Sequence, residues 1–335
     1  MAKTNARPTY AQIAQAAGVS EATVSRVLNG DDAVHPDRIK AVQNAVNKLG
    51  YKKHRAAAAL AGGRTGFIAV VIDDNLSVFS DPFWATVTSG ISRVLMENEM
   101  QTLLMVASLD NLDSPVAHSL LRGEVDGAIF FQLHKDALIK RLKKQNLPIV
   151  VTGTPPSDKE FIFVDTDNFG GGLAATKHLF AQGCKNVAII IGDADTTTGR
   201  QRLDGYNQAY RESGHVPSKK LIAQGDYSYE SGKAATKSLL KNVENLDGIF
   251  ASNDLMALGA IAAIEEAGLS VPKDIRVVGF DDSLVAQTSR PALTSVRQDI
   301  VALGEAAAEL MIAQINGNYA EPRILRTELI TRESA

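Results

Sequence analysis

The chain has 335 residues, 45% hydrophobic and 22% charged, with a net charge of −3 at neutral pH. That length exceeds what one hydrophobic core supports, so two or three domains are expected. A single cysteine, Cys184, excludes an internal disulfide and a cysteine-rich zinc site. No run approaches the about 18 apolar residues of a membrane span, and none at the start has signal-peptide character, so a soluble cytoplasmic protein with no membrane partner is expected.

The net charge hides an asymmetry, because residues 1–64 carry +6 and the remainder −9. A basic head on an acidic body predicts a polyanionic partner for the head. Thr9 and Gln12 have the spacing of a helix capping box, and Tyr10, Ile13, Ala14 and Ala17 follow at helical spacing up to Gly18. Ser20 is placed to cap a second helix from Glu21 to about Leu28, with Val24, Val27 and Leu28 as its apolar stripe and Asn29-Gly30 as its stop. A third helix is read from Pro36 to Leu49, with Ile39, Val42 and Val46 inward. Helix, short turn and helix make a helix-turn-helix.

The outer face of the second helix carries Ser20, Glu21, Ala22, Ser25 and Arg26. Small polar side chains let a helix approach base edges in the major groove. Arg26 suits a guanine, Glu21 a cytosine amino group and Ala22 a thymine methyl, while Arg7, Lys40, Lys52 and Lys53 suit phosphates.

From Gly66 onward, apolar runs alternate with helical patterns: FIAVVI, QTLLMV, GAIFF, PIVVTG, NVAIIIG, GIFAS and IRVVGF. Such runs predict parallel strands covered on both faces, arranged as two doubly wound subdomains with a ligand cleft between them. Asp73, Asp74, Asp165, Asp193, Asn253, Asp254, Asp281 and Asp282 fall just past these strands. With Phe83, Trp84 and Tyr227 as aromatics and Arg200 and Arg202 as donors, the set suits a polyhydroxylated ligand such as a sugar. Helix N-capping is the alternative for Asp165, Asn168, Asp193 and Asp254.

GGGLAA at 170–175 fits a dinucleotide fingerprint formally, but Asp165, Asn168 and Phe169 separate it from the strand, so a tight helix-on-sheet contact is the better reading. SGKAATKS lacks two residues of a phosphate loop, and the six histidines show no metal spacing. No nucleophile, base and orienting group stand together, so neither an enzyme, a cofactor nor a metal is expected.

TYAQIAQAAGVSEATVSRVLNG, KLGYKKHRAAAALAGGRTGFIAVV, FASNDLMALGAIAAIEEAGL and VVGFDDSLVAQTSRPALTSVRQD resemble the lactose-repressor (LacI/GalR) family of bacterial transcription regulators, over essentially the whole chain. The resemblance implies an all-α helix-turn-helix head over 1–53, a hinge helix and linker over 54–64, and an α/β body over 65–335. The body is expected to be periplasmic-binding-protein-like, with two doubly wound parallel-sheet subdomains. The N-subdomain is about 65–165 and 297–324, and the C-subdomain about 166–296 and 325–335, crossing near 165, 296 and 324.

The function so implied is sequence-specific repression controlled by a small effector, a sugar or related polyol. Double-stranded DNA bearing a pseudo-palindromic operator and a second copy of the chain are the implied partners. DNA contacts are implied for Thr9, Tyr10, Ser20, Glu21, Ala22, Ser25, Arg26 and Asn29, with Ala57 and the wedge residue Leu60 in the minor groove. Effector contacts are implied for Phe83, Arg202, Tyr227, Asn253 and Asp281, with Gln132 a looser candidate. The chain departs from the family pattern at His35, Lys53 and His54. The tail ILRTELITRESA has no leucine-heptad segment, which favours a dimer. A transporter's solute-binding protein shares such a body, but the basic head argues against it.

Overall fold

The computed structural model describes residues 8–28, 31, 33–51, 64–72, 81–106, 114–131, 137–155 and 161–335. Contacts divide the chain into two units between Thr65 and Gly66.

Among the described residues, the first unit holds three helices, α1 (Tyr10–Ala17), α2 (Glu21–Leu28) and α3 (Pro36–Leu49). The capping box forms: the Gln12 amide donates to Thr9 Oγ1 at 3.4 Å and the Thr9 amide to Gln12 Oε1 at 2.8 Å. Ser20 Oγ accepts from the Thr23 amide at 3.2 Å. Gly18 and Gly50 end α1 and α3 at φ of 65° and 63°, a conformation that glycine adopts without steric cost. His35 caps α3, its Nδ1 accepting from the Asp37 amide at 3.4 Å. Ile13, Ala14, Val24, Val42 and Ala45 form the core, rimmed by Val27, Leu28 and Val46. Each fully buried aliphatic side chain here contributes about 1.5–3 kcal/mol. Ile39 is only half-buried and outside this cluster; the apolar stripe starts one turn later, at Val42, where α3 packs on α1.

The second unit begins with β1 (Phe67–Ile72), α4 (Pro82–Glu97), β2 (Gln101–Val106), α5 (Pro115–Leu121), β3 (Gly127–Phe131), α6 (Ala137–Lys143), β4 (Ile149–Thr152) and β5 (Ile162–Thr166). It continues with α7 (Asn168–Ala181), β6 (Val187–Ile191), α8 (Thr197–Glu212), β7 (Ile222–Gln224), α9 (Tyr229–Asn242), β8 (Gly248–Ala251), α10 (Asp254–Glu266) and β9 (Arg276–Asp281). The last elements are α11 (Leu284–Thr288), β10 (Thr294–Gln298), α12 (Ile300–Ile315), β11 (Arg323–Leu325) and β12 (Thr327–Ile330).

Two six-stranded sheets result, ordered β11-β5-β4-β3-β1-β2 and β12-β10-β9-β8-β6-β7. Strand pairing is parallel except for β12 against β10. The central strands β3, β4, β6 and β8 are buried throughout, as apolar runs covered on both faces should be. β2 departs from that expectation. Among the described residues it is an edge strand, paired only to β1, and Gln101, Leu103 and Leu104 are exposed.

The chain passes between sheets three times, after Thr166, after Gln298 and after Leu325. These passages are bonded to each other. The Asp167 amide donates to the Leu325 carbonyl at 2.8 Å, and Thr166 Oγ1 donates to Gln298 Oε1 at 2.9 Å.

Candidate functional sites

In both sheets the chain order reverses beside the first strand, between β1 and β3 and between β6 and β8. Crevices at the carboxyl ends of such strands receive ligands. A cavity of about 360 Å³ lies there, lined from one sheet by Ile72, Asp81, Phe83, Trp84 and Phe131, and from the other by Arg202, Tyr227, Asn253 and Asp281.

Arg202 reaches this cleft because α7 and α8 touch backbone to backbone. A Cβ on Gly172 would lie 2.4 Å from the Arg202 carbonyl oxygen, and one on Gly205 2.2 Å from that of Phe169. The GGG run is a packing device: Gly171 lies on Phe280 and Val296 of the sheet, as a helix-on-sheet contact requires, whereas Gly172 meets the neighbouring helix instead. Arg202 is 4% exposed. Its Nε donates to Asn168 Oδ1 at 2.9 Å, its Nη1 donates to the Ser252 carbonyl, and its Cζ lies 3.6 Å from the Phe280 ring centroid. Its Nη2 group has no partner among the described residues.

Asn168 is held in turn by Asp165, whose Oδ1 accepts from Asn168 Nδ2 at 2.9 Å and from the Thr166 amide at 2.8 Å. The other oxygen of Asp165 accepts from the amide and the hydroxyl of Thr154, each at 2.8 Å. Asp165 and Asn168 therefore scaffold Arg202. The N-cap reading of these side chains is corrected: Asp167 caps α7, Thr196 caps α8 and Asn253 caps α10. Asp165 precedes the helix inside β5, and Asp254 is the first residue of α10 rather than its cap.

Asn253 serves the cleft and the helix together. Its Oδ1 accepts from the Met256 amide at 2.9 Å, while its Nδ2 donates to the Tyr227 carbonyl at 2.8 Å. Tyr227 sits at φ 68°, and its ring lies on Gly192, where a Cβ would stand 2.0 Å from the ring's Cζ. Asp281 holds a φ of 111° at the end of β9 and is 7% exposed. Burial pushes its carboxyl well above the usual carboxylate range against the pull of Arg202, and the nearby Asp254 and Asp81 push it the same way. Gln298 Nε2 donates to Asp281 Oδ1 at 2.5 Å.

On the opposite wall, Trp84 meets Phe83 edge-on at 5.4 Å and Phe131 at 5.2 Å. Asp81 caps α4, accepting from the Phe83 amide at 2.9 Å, and burial raises its carboxyl above its ordinary value. Arg202 is the one cation lining the cleft among the described residues, facing several carboxylates. Buried carboxyls that accept and a guanidinium that donates match hydroxyl groups, and the aromatic rings match a sugar's C–H face.

Arg200 does not join the cleft. It lies on the outside of α8 and donates to the Ala194 and Asp195 carbonyls at 3.3 and 2.9 Å. Asp254 lies below the cleft floor, accepting from the Ser283 amide and hydroxyl and from Ser295 Oγ at 2.8, 2.7 and 2.6 Å. Burial still pushes its carboxyl up to about 7. The Cys184 thiol donates to the Asp247 carbonyl at 3.3 Å, and burial pushes it up to about 11, the behaviour of an inert core thiol. Among the described residues, no group of three His, Cys, Asp or Glu side chains could hold a metal, and no helix is long and apolar enough to cross a membrane. Asp81 and Gln298 line the cleft but are absent from the sequence reading, while Trp84, read there as a ligand-set aromatic but not as a family effector contact, lines it as well.

In the first unit, α2 presents Glu21, Ala22 and Arg26 to solvent, with Ser20 exposed just before it and Ser25 half-buried. Thr9 is exposed and engaged in its cap, and Tyr10 packs edge-on against Tyr51 at 5.8 Å. Arg7, Asn29, Lys52, Lys53, His54, Ala57, Leu60, Asp73, Asp74 and Gln132 lie outside the described residues, as does the expected hinge helix.

Residues 9–54 match the model of bacterial regulatory proteins of the lacI family, and residues 176–335 that of a periplasmic binding protein-like domain. The HTH-type transcriptional regulator CelR of Thermobifida fusca is 38% identical over 339 residues, covering 98% of each chain. The chain belongs to the LacI family. A solved transcriptional regulator CelR–cellobiose complex matches at TM-score 0.75 and 36% identity, covering 98% of this chain and all of that one. A lac repressor dimer bound to operator and the anti-inducer ONPF matches at TM-score 0.85 and 25% identity, over 98% and 99% of the two chains. This LacI-family chain is therefore a DNA-binding transcription regulator, and its relatives regulate transcription rather than catalyse reactions.

Proposed function

We propose that the protein is a cytoplasmic repressor whose operator affinity is set by a neutral sugar or polyol bound between Arg202, Tyr227, Asn253 and Asp281 on one side and Phe83 and Trp84 on the other. The observation that carries this reading is Arg202. It is locked by Asn168, Ser252 and Phe280, yet leaves its Nη2 group for a ligand oxygen beside the buried Asp281 carboxyl. Cellobiose in the CelR complex supports a sugar. The ligand touches both walls, so it favours one angle between the subdomains, and the three bonded passages are the hinge.

The working unit is a homodimer on a pseudo-palindrome, with α2 of each head in the major groove. The lac repressor dimer supports this, and so do Met96, Leu103 and Leu104, large apolar side chains exposed on α4 and the edge strand β2. Thr9, Tyr10, Ser20, Glu21, Ala22, Ser25, Arg26 and Asn29 are assigned to the operator, with Ala57 and Leu60 at its centre. The domain limits 1–53, 54–64 and 65–335 follow from the same assignment. The test is a calorimetric screen of cellobiose, glucose and related neutral sugars, followed by titration of any binder into a complex with sheared genomic DNA. Binding that changes DNA retention supports the reading. Binding without such a change defeats the coupling, and no binding across the panel defeats the sugar.

A further inference from the structure

α2 ends in Arg26, Val27 and Leu28, and the side chain of Arg26 is 71% exposed. The chain then returns to it. The Asp31 amide donates to the Arg26 carbonyl at 3.0 Å, and Asp31 Oδ1 accepts from the Ala33 amide at 3.0 Å. With one oxygen pinned, the other, Oδ2, stands 3.9 Å from Arg26 Nε. The carboxylate thus meets the guanidinium on its Nε edge. The Nη1 and Nη2 groups bond to nothing among the described residues.

An exposed pair of this kind adds about 0–1 kcal/mol to stability, so holding the fold does not account for it. Its geometry has a different use. A guanine offers N7 and O6 side by side, and a guanidinium reads both only when it presents two parallel N–H groups. A carboxylate on the Nε edge leaves the Nη1–Nη2 edge for the base and, at 3.9 Å, draws the Nε edge to itself by charge rather than by a hydrogen bond. The same carboxylate repels phosphates, so it penalises an Arg26 that drifts to the DNA backbone.

We propose that Asp31 is a positioning residue for base reading, which aims the terminal fork of Arg26 at a guanine and weakens binding to DNA that lacks it. This rests on α2 being the base-reading helix. Asp31→Asn keeps an oxygen for the Ala33 amide and removes only the charge, so the turn is retained.

The experiment selects binding sites from a random duplex pool with the full-length wild type, Asp31→Asn and Arg26→Ala. Affinities for the wild-type site and for a scrambled duplex are then measured at two salt concentrations. Asp31→Asn is expected to bind the selected site about three- to tenfold more weakly and to lose guanine enrichment at one half-site position. Its affinity for scrambled DNA should stay level or rise about threefold. Equal changes on both duplexes, in either direction, would overturn the proposal, as would unchanged guanine enrichment. A wild-type site with no guanine that depends on Arg26 would overturn the reading of α2 itself, and with it the role of Asp31.

Discussion

Glu21, Ala22 and Arg26 stand in solvent on α2, held by little beyond their own helix, whereas Arg202, Asn253 and Asp281 are 4%, 3% and 7% exposed and bonded into the floor of the cleft. The difference follows from the partner. DNA is large and brings its own rigid surface, so a reading face must stand clear of the fold. A small ligand is surrounded, so its contacts must be built into the interior, where most polar atoms are already partnered and only a few, such as Arg202 Nη2, are left for the ligand. The head can therefore change what it reads without changing what holds it together, and the body cannot.

The largest break in that contrast is expected at Arg202. Arg202→Ala strands the Asn168 oxygen and the Ser252 carbonyl and strips the face of Phe280. A loss of about 3–5 kcal/mol in body stability is expected, by urea denaturation, together with loss of ligand binding by calorimetry. Gly192→Ala drives a methyl into the Tyr227 ring. About 1–3 kcal/mol of destabilisation is expected, with weakened ligand binding and DNA affinity unchanged in the absence of ligand.

The body should also respond to pH through Asp254. Burial raises this carboxyl from 3.8 to about 7, so over that window the folded body keeps a proton that the unfolded chain has released. Its contribution to stability then falls as pH rises through the window and levels off above it. Wild type minus Asp254→Asn, followed by urea midpoint from about pH 5 to about pH 8, isolates this dependence. No carboxyl of the described head residues is buried in this way. The smallest effect on stability belongs to Arg26→Ala, expected within about 0.5 kcal/mol of wild type, while affinity for a selected site falls by about 1–3 kcal/mol. A head mutant that unfolded, or an Arg202 mutant that did not, would erase the contrast.

Much of this was legible from residue patterns. FIAVVI, GAIFF and VAIII could be read as buried strands because they are apolar on both faces. IFVDT and TSVRQ do not read as strands, for the opposite reason: β5 and β10 carry Asp165, Thr166 and Gln298 toward the cleft and the passages between sheets, and those polar groups break the apolar signal. The short edge strands β7, β11 and β12 are too exposed to give one. Residue types alone put Arg202 and Asp281 in the ligand set beside Arg200 and the other strand-end acids, and only the family resemblance sorts them out, since an Arg in a helix and an Asp after a strand are ordinary alone. Asp81 and Gln298 escaped because an N-cap Asp and a strand Gln carry no pattern. Arg200 could have been set aside from spacing, because residues two apart on a helix face different sides.

Trp84 is the only tryptophan in the chain, and it stands on the wall of the cleft between Phe83 and Phe131. Indole emission reports the polarity around the ring, so the tryptophan emission of the whole protein, excited apart from that of the tyrosines, comes from one point on the cleft wall. Ligand entry and movement of the two walls are thereby visible in unlabelled wild-type protein, on or off DNA.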